Sequence, residues 1–494
     1  MYTKYLIIGA SAAGVSCANT LSRLDPGSSI YCLSDEREAP YNKCLLADYV
    51  ADTRDENSLC ILSEEQVKAR GITLLRGMQV TAINQVTKSV TCSVLNTGTI
   101  NNSNMPNTRD IRITYDRLLI ATGSRPIMPV IPGITHDALN THDVYYTNNN
   151  RHKSGLFTFH SLHDINHIIS FIKEHNVQRI AIVGAGLSGI EAADALRSSY
   201  LSHVKSDSHA SNNPEIVLLD RGDRILKRHI HEAGSELIEQ YVSKSGSQSI
   251  KSSQSNKYRE HVGQKEHNLD MQVKFVSGAT VTHIMRDAFG NVSGIGFNSK
   301  SDISTELEAQ LVIVTIGVRP NSELARDAGV ICMRESIIVD AGMRTNNSDI
   351  FAAGDVIVTA DKATGMMVRS CTWPDAMQQG VVAAHSMYSM GVRDPVSSES
   401  ESGPVCYPKP YPGIIGYVTS SFFGLEFAAA GSGIYGPDVK QTIGSDTNSR
   451  WAVYSTGGVI KGFCVIGDST IFPRVTRLRQ LLLTGASIDE SEFL

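Results

Sequence analysis

The sequence predicts an α/β chain built on parallel sheets, with two similar units and a smaller α+β domain toward its C-terminal end. Three observations predict it. An apolar run, Tyr5-Leu6-Ile7-Ile8, breaks into the small-residue turn Gly9-Ala10-Ser11-Ala12-Ala13-Gly14 almost at the start of the chain. A second run, Ile180-Ala181-Ile182-Val183, breaks into Gly184-Ala185-Gly186-Leu187-Ser188-Gly189. A third, Ile350-Phe351-Ala352-Ala353, ends in Gly354-Asp355. Short continuous apolar runs bounded by glycine turns are the mark of strands buried on both faces.

In the first unit, Tyr5 to Ile8 reads as a strand and Ala12 to Leu21 as the helix after it. Gly9 permits the tight turn, Ser11 sits where a second glycine would let a phosphate approach the backbone, and Gly14 lets helix and strand pack closely. The free N–H groups of the helix N-terminus suit a pyrophosphate. The second unit carries the full G-x-G-x-x-G spacing, with helix from Glu191 to Ser198. Two such turns imply two dinucleotides, most economically a flavin that stays bound and a nicotinamide cofactor that comes and goes. The expected fold is therefore two Rossmann-like dinucleotide-binding domains, one for the flavin and one for the nicotinamide nucleotide, plus a smaller C-terminal α+β domain. Residues 1–150 and 317–395 form the first, 151–316 the second and 405–494 the third.

Composition narrows the partners. The 494 residues carry a formal net charge of -5, which gives no reason to expect nucleic acid or an anionic membrane. The uncharged run Tyr5 to Ser22 is broken by two glycines, Ser16, Asn19 and Thr20, and reads as strand plus helix, not as an export signal or membrane anchor. Nine scattered cysteines without a C-x-x-C suit a reducing cytoplasm and give no metal spacing. His163 and His167 stand four apart on a predicted helix, His160 to Asn176, but lack the accompanying acid of a zinc site, so no metal is expected.

Taken in order, Ser29 to Leu33 is the next strand, and Asp35 and Glu36 follow it where a carboxylate would meet the adenosine ribose. Pro40-Tyr41-Asn42-Lys43-Cys44 reads as a loop entering a helix at about Cys44. A thiol at a helix N-terminus beside a lysine has two reasons to ionise early. The bland alternative for Cys44 is a buried small apolar residue. Gly71 to Val94 reads as short strands, and Tyr115 to Ile120 as a buried strand closing in Ala121-Thr122-Gly123-Ser124-Arg125-Pro126.

Beyond the second glycine turn, Glu215 to Leu219 is the matching strand. Asp220 stands where an acid would take the ribose hydroxyls, while Arg221 and Arg224 would suit a 2′-phosphate. Polar tracts at 96–110, 200–214 and 243–268 read as insertions, the last of them disordered by composition. Strands resume through Leu311 to Ile316 and close in Gly317-Val318-Arg319-Pro320-Asn321. Trp373 to Gly380 begins a helix, and 393–404 is a Ser/Glu-rich linker before the last domain.

These motifs, in this order, resemble the FAD- and NAD(P)H-dependent pyridine nucleotide-disulfide oxidoreductase superfamily. The resemblance implies that Gly9, Ser11, Ala12, Ala13, Gly14, Ala121, Thr122 and Gly123 hold FAD, with Asp355 on its ribityl chain, and that Lys43, Arg125, Gly317 and Gly354 are further cofactor-binding residues. It places Gly184, Gly186, Leu187, Ser188, Gly189 and Asp220 on the nicotinamide nucleotide and Glu191 near the nicotinamide. The usual ribose acid aligns with Ser34, so Asp35 or Glu36 must substitute.

Two branches compete. In coenzyme A disulfide reductases and NADH oxidases a lone cysteine faces the flavin, and Cys44 falls on that position with Lys43 beside it. The oxidases' histidine falls at Ala12, which leaves disulfide reduction as the nearer match. The nitrite-reductase and rubredoxin-reductase branch resembles Pro40-Tyr41-Asn42-Lys43, Trp373 to Gly380 and Lys461 to Asp468. The expected activity is hydride transfer from NAD(P)H to FAD and on to a small disulfide through Cys44, with a small redox protein as the alternative acceptor. A third possibility is an NADH-responsive binding protein. A homodimer through the C-terminal domain is a further implication.

Overall fold

The structure is a computed structural model. It describes residues 1–95, 110–134, 154–175, 177–203, 214–244, 271–300, 303–389, 409–431 and 438–487. The tract expected at 96–110 lies outside them up to residue 109. The same holds for 204–213 and 245–268 of the other two tracts, for the linker at 393–404 and for the expected domain boundary near 150.

The chain divides into two units, one of residues 1–44, 57–125 and 319–417, the other of 45–56, 126–318 and 418–494. In the first, Tyr2–Ile8 lies parallel to Ile30–Ser34 on one side and to Asp110–Ile120 on the other. Ile72–Arg76 extends the sheet at Ile30–Ser34, and Ile350–Ala352 pairs parallel with Asp110–Ile120. The hairpin Met78–Asn84 with Ser89–Val94 continues it antiparallel. Leu6, Ile7, Leu118, Leu119 and Phe351 are fully buried, as continuous apolar runs require. The helix Ala12–Leu24 covers the sheet with Trp373–Ser389 beside it, so closely that a Cβ on Gly380 would stand 2.1 Å from the carbonyl oxygen of Ala13.

The second unit holds a fully parallel five-stranded sheet in the order Gln272–Ser277, Glu215–Asp220, Arg179–Val183, Leu311–Val314, Leu156–Thr158. A three-stranded antiparallel meander, Thr280–Arg286, Val292–Asn298 and Ser304–Glu308, follows it. The C-terminal part is a five-stranded antiparallel sheet, Val418–Phe422 through Val459–Gly467, with the helix Phe472–Thr484. This is the expected α/β architecture, with two nucleotide-type sheets, one parallel and one parallel apart from its antiparallel hairpin, and a C-terminal α+β segment.

Two local expectations change. The helix after the second glycine turn runs Leu187–His203, past the expected start of the polar tract at Tyr200, and Glu232–Lys244 is helical through Ser243. Polar composition does not stop a helix whose apolar face is already docked. Among the described residues no helix is long and apolar enough to cross a membrane.

Candidate active site

In the first unit Gly9 leaves the sheet with φ +108, and a Cβ there would lie 2.1 Å from the carbonyl oxygen of Ala121. A Cβ on Gly14 would lie 1.8 Å from the carbonyl oxygen of Gly9. Both positions accept hydrogen alone, so backbone meets backbone at the strand ends. Ser11 caps the helix Ala12–Leu24 without a side-chain bond, and its first turn holds no acid. The N–H groups there are left to an anion. At Gly123, with φ +65, a Cβ would meet no described atom within 4 Å, so the backbone is open to a ligand.

Asn321 secures this edge: its side chain donates to the carbonyl of Thr122 (2.9 Å), its N–H to that of Gly123 (3.0 Å), and Thr122 Oγ1 donates back to the Asn321 carbonyl (2.7 Å). Arg125, 8% exposed, donates to Asn321 Oδ1 (2.6 Å) and pairs with Glu323. Its guanidinium thus braces the turn. Asp355 is sunk at the end of the strand Ile350–Ala352, where burial pushes its carboxyl up against the opposing Ser124 hydroxyl, which donates at 2.8 Å, and the charges of Lys43 and Arg369. Gly354 N–H donates to Gln379 Oε1 (2.8 Å), Gln379 Nε2 to Tyr411 OH (3.3 Å), and Tyr411 OH to Asp375 Oδ1 (3.0 Å). This chain fixes the glycine turn to the helix Trp373–Ser389. Hydrogen-only turns, an uncapped helix start and a buried carboxyl fit a dinucleotide such as FAD.

Glu36 follows the strand Ile30–Ser34 and is fully engaged, accepting from Tyr41 OH (2.6 Å) and Lys43 Nζ (2.8 Å); Asp35 beside it is half-buried. Cys44 stands exposed, its N–H donated to Asn42 Oδ1 at 3.0 Å. Helical backbone begins here, as expected at about Cys44, but it is short. It lies in a 3-10 turn, Lys43–Leu45, followed by only five helical residues, Leu46–Val50, too short for a substantial dipole. The Lys43 charge is bonded to Glu36. Cys44 is therefore an accessible thiol, not the buried apolar filler of the alternative reading.

In the second unit a Cβ on Gly184, φ +113, would lie 2.6 Å from the carbonyl oxygen of Thr315, and one on Gly189 1.9 Å from that of Gly184. Thr315 Oγ1 lies 3.0 Å from the carbonyl oxygens of Val183 and Gly184. At Gly186 a Cβ would meet no described atom within 4 Å; Leu187 is half-buried and Ser188 exposed at the helix start. Asp220 closes the adjacent strand. Its carboxylate accepts from Ala185 N–H (2.7 Å) and Gly222 N–H (2.6 Å), tying the glycine turn to the strand end. Arg224 is turned inward, donating to the Ile230 carbonyl (2.5 Å) and Ser235 Oγ (3.3 Å), while Arg221 is exposed. Gly317, φ +113, accepts from Ile127 N–H at 2.9 Å. This turn fits a nucleotide as the first one does.

Glu191, two residues beyond Gly189, accepts from Ser420 Oγ at 2.5 Å. Loss of hydration pushes its carboxyl up to about 7, the Ser420 bond opposing this and the charge of Asp48 adding to it. Nothing in the sequence marked Ser420, which stands 229 residues away. The His163 and His167 rings stack edge to face, His167 Nδ1 lies 2.8 Å from the His163 carbonyl, and among the described residues no His/Cys/Asp/Glu group could hold a metal.

These two turns, each built on glycines that admit no side chain, define a two-dinucleotide redox protein. The family model described as pyridine nucleotide-disulphide oxidoreductase matches residues 3–380, and the chain belongs to that family. The family binds FAD and NAD(P)H, and the chain is an oxidoreductase. It is 26% identical to an NADH oxidase of Enterococcus faecalis over 72% of this chain and 64% of that one, so it spans less than two thirds of that relative. It is 23% identical to an NAD(P)H coenzyme A polysulfide/persulfide reductase of Pyrococcus horikoshii, over all of this chain and 94% of the other. The putidaredoxin reductase in a covalent complex with putidaredoxin shares the fold, with a TM-score of 0.73 at 19% identity, over 99% of this chain and 95% of that one.

Proposed function

We propose that this chain reduces a small disulfide or persulfide, of the coenzyme A type, at the expense of NADH, with Cys44 as the thiol that meets the substrate. The observation that carries the reading is the exposed Cys44 in the same unit as the Gly9–Gly14 turn and the half-buried Asp355. The likeness to the Pyrococcus horikoshii enzyme along the full chain supports it. Bound FAD supplies the two-electron relay between nicotinamide and sulfur.

The chain's own groups would divide the work. Gly9, Ser11, Ala12, Ala13, Gly14 and the turn Ala121 to Gly123 hold the flavin nucleotide, Gly354 and Asp355 fix its ribityl side, and Glu36 or Asp35 faces its adenosine. Gly184 to Gly189 hold the nicotinamide nucleotide. Asp220 stands at its ribose, and the inward turn of Arg224 favours NADH over NADPH. The Cys44 thiolate attacks one sulfur of the substrate, the S–S bond breaks, and the first thiolate leaves. The mixed disulfide left on Cys44 would then take up two electrons and a proton, its S–S bond breaking to release the second thiol and restore the Cys44 thiolate, with bound FAD supplying those electrons from NADH.

Cys44→Ser tests this. Disulfide reduction is expected to fall to background while NADH-to-dye activity persists; unchanged disulfide reduction would sink the role of Cys44. A second reading rests on the putidaredoxin reductase likeness and the Pro40 to Lys43 motif: electrons pass to a small redox protein and Cys44 is a bystander. Equal activity of wild type and Cys44→Ser with a rubredoxin or ferredoxin favours it.

A further inference from the structure

The helix Leu187–His203 starts at the second glycine turn and carries Glu191 in its second turn. Two hydrogen bonds tie it to the hairpin of Val418–Phe422 and Leu425–Ala430: Ser420 Oγ donates to Glu191 Oε1 at 2.5 Å, and Phe423 N–H donates to Asp194 Oδ2 at 2.9 Å. Arg197 closes the second tether, pairing with Asp194 at 3.3 Å and lying 5.7 Å over the Phe423 ring. Phe423 holds φ +52, a left-handed conformation that a phenylalanine adopts at a cost. The hairpin tip is thus built to reach this helix face, and of its contacts only Ser420 touches an ionisable group at the glycine turn.

We propose that Ser420 is a positioning residue for nicotinamide binding, holding the Glu191 carboxyl at one rotamer and setting its protonation state beside the cofactor. The inference rests on the reading that Gly184 to Gly189 hold NADH. An O–H that donates to a carboxyl favours the ionised form. Among the described residues the charges facing Glu191 are few. Asp48, on the short helix Leu46–Val50, disfavours ionisation, although Arg54 bonds to it at 3.0 Å. Asp194 is three residues away on the same helix and already held by Arg197 and Phe423. Ser420 and Asp48 therefore act on Glu191 in opposite directions. Burial, the Ser420 bond and the Asp48 charge together leave the carboxyl at about 7, so the balance of these two groups decides its state at neutral pH.

The test is anaerobic flavin reduction by NADH in the FAD-loaded full chain, measured from pH 5.5 to 9 in wild type, Ser420→Ala, Ser420→Thr, Asp48→Asn and Glu191→Gln. Wild type is expected to show a midpoint near 7 in the NADH dependence of the rate. Ser420→Ala raises that midpoint by about one pH unit, Asp48→Asn lowers it, Ser420→Thr restores it, and Glu191→Gln removes it. A midpoint unmoved in both Ser420→Ala and Asp48→Asn overturns the proposal, as does a midpoint that survives Glu191→Gln. Wild type that NADH does not reduce at any pH contradicts instead the reading of the nucleotide site. A fold defect in Ser420→Ala would appear as lost FAD and a lower Tm, and the Thr and Asn variants then decide.

Discussion

Gly9 and Ala121 stand so close that one added carbon at Gly9 would lie 2.1 Å from the Ala121 carbonyl oxygen. The strand Tyr2–Ile8 and its parallel neighbour Asp110–Ile120 bring these two turns together, and the contact sets the floor of the proposed flavin cradle. Gly9→Ala must both leave φ +108 and part the two turns. Its expected cost is about 2–4 kcal/mol, with purified protein nearly free of flavin. The ratio of flavin absorbance to protein checks this, and a fully yellow Gly9→Ala would refute the cradle.

Arg125 and Glu323 form a second prediction, on stability against pH. The carboxyl of Glu323 is held down to about 2; burial opposes this, while the Arg125 hydrogen bond and the Arg125 and Arg319 charges lower it. A depressed carboxylate stabilises the fold fully above its unfolded value of about 4.3, and that share is lost as pH falls toward 2. Because the Glu323 side chain is 44% exposed, its screened contribution is about 1 kcal/mol. Glu323→Gln is expected to lower Tm at pH 7 and to flatten the acid side of the Tm profile between pH 5 and 2. An unchanged acid limb would contradict this.

Nucleotide choice follows from Asp220 and Arg224. A 2′-phosphate would meet the Asp220 carboxylate, and Arg224 is committed to Ile230 and Ser235. NADH is expected to be preferred over NADPH on the order of tenfold or more in kcat/KM. Asp220→Ala should narrow that ratio while raising KM for NADH, because the tie to Ala185 N–H is lost. A wild type that prefers NADPH would overturn the assignment.

Thiol accessibility separates Cys44 from most other cysteines. Cys17, Cys32, Cys92 and Cys464 are buried, whereas Cys44, Cys60 and Cys371 are exposed. Although Cys371 is exposed as a residue, loss of hydration at its sulfur and the Asp355 charge push the thiol up to about 12, so exposure alone does not make it reactive. Mass spectrometry after brief alkylation of the folded protein should find Cys44 modified ahead of Cys371. Glu36→Gln, by releasing the Lys43 charge, should speed alkylation of Cys44.

Much of this site could be read in the sequence because its parts are local. Tyr5 to Ile8 and Ile180 to Val183 are buried on both faces, and the glycines that follow them serve a contact within a few residues or with a neighbouring strand end. Bonds between distant segments could not be read. Ser420 meets Glu191 across 229 residues and Asn321 meets Thr122 across 199, and neither partner carries a pattern of its own. The helical start near Cys44 is legible, but its brevity is not. Residues 43–50 have helical propensity, but the segment splits into a 3-10 turn and five helical residues, too few to sustain a longer helix.

The most direct test of the central claim is an anaerobic NADH titration of the FAD-loaded protein after treatment with coenzyme A disulfide and removal of the excess, with Cys44→Ser in parallel. About two equivalents of NADH per flavin are expected in wild type, with one thiol released, and about one in Cys44→Ser. Bleaching by one equivalent in both, with no thiol released, would contradict a redox role for Cys44 and leave electron transfer to a protein acceptor as the activity to pursue.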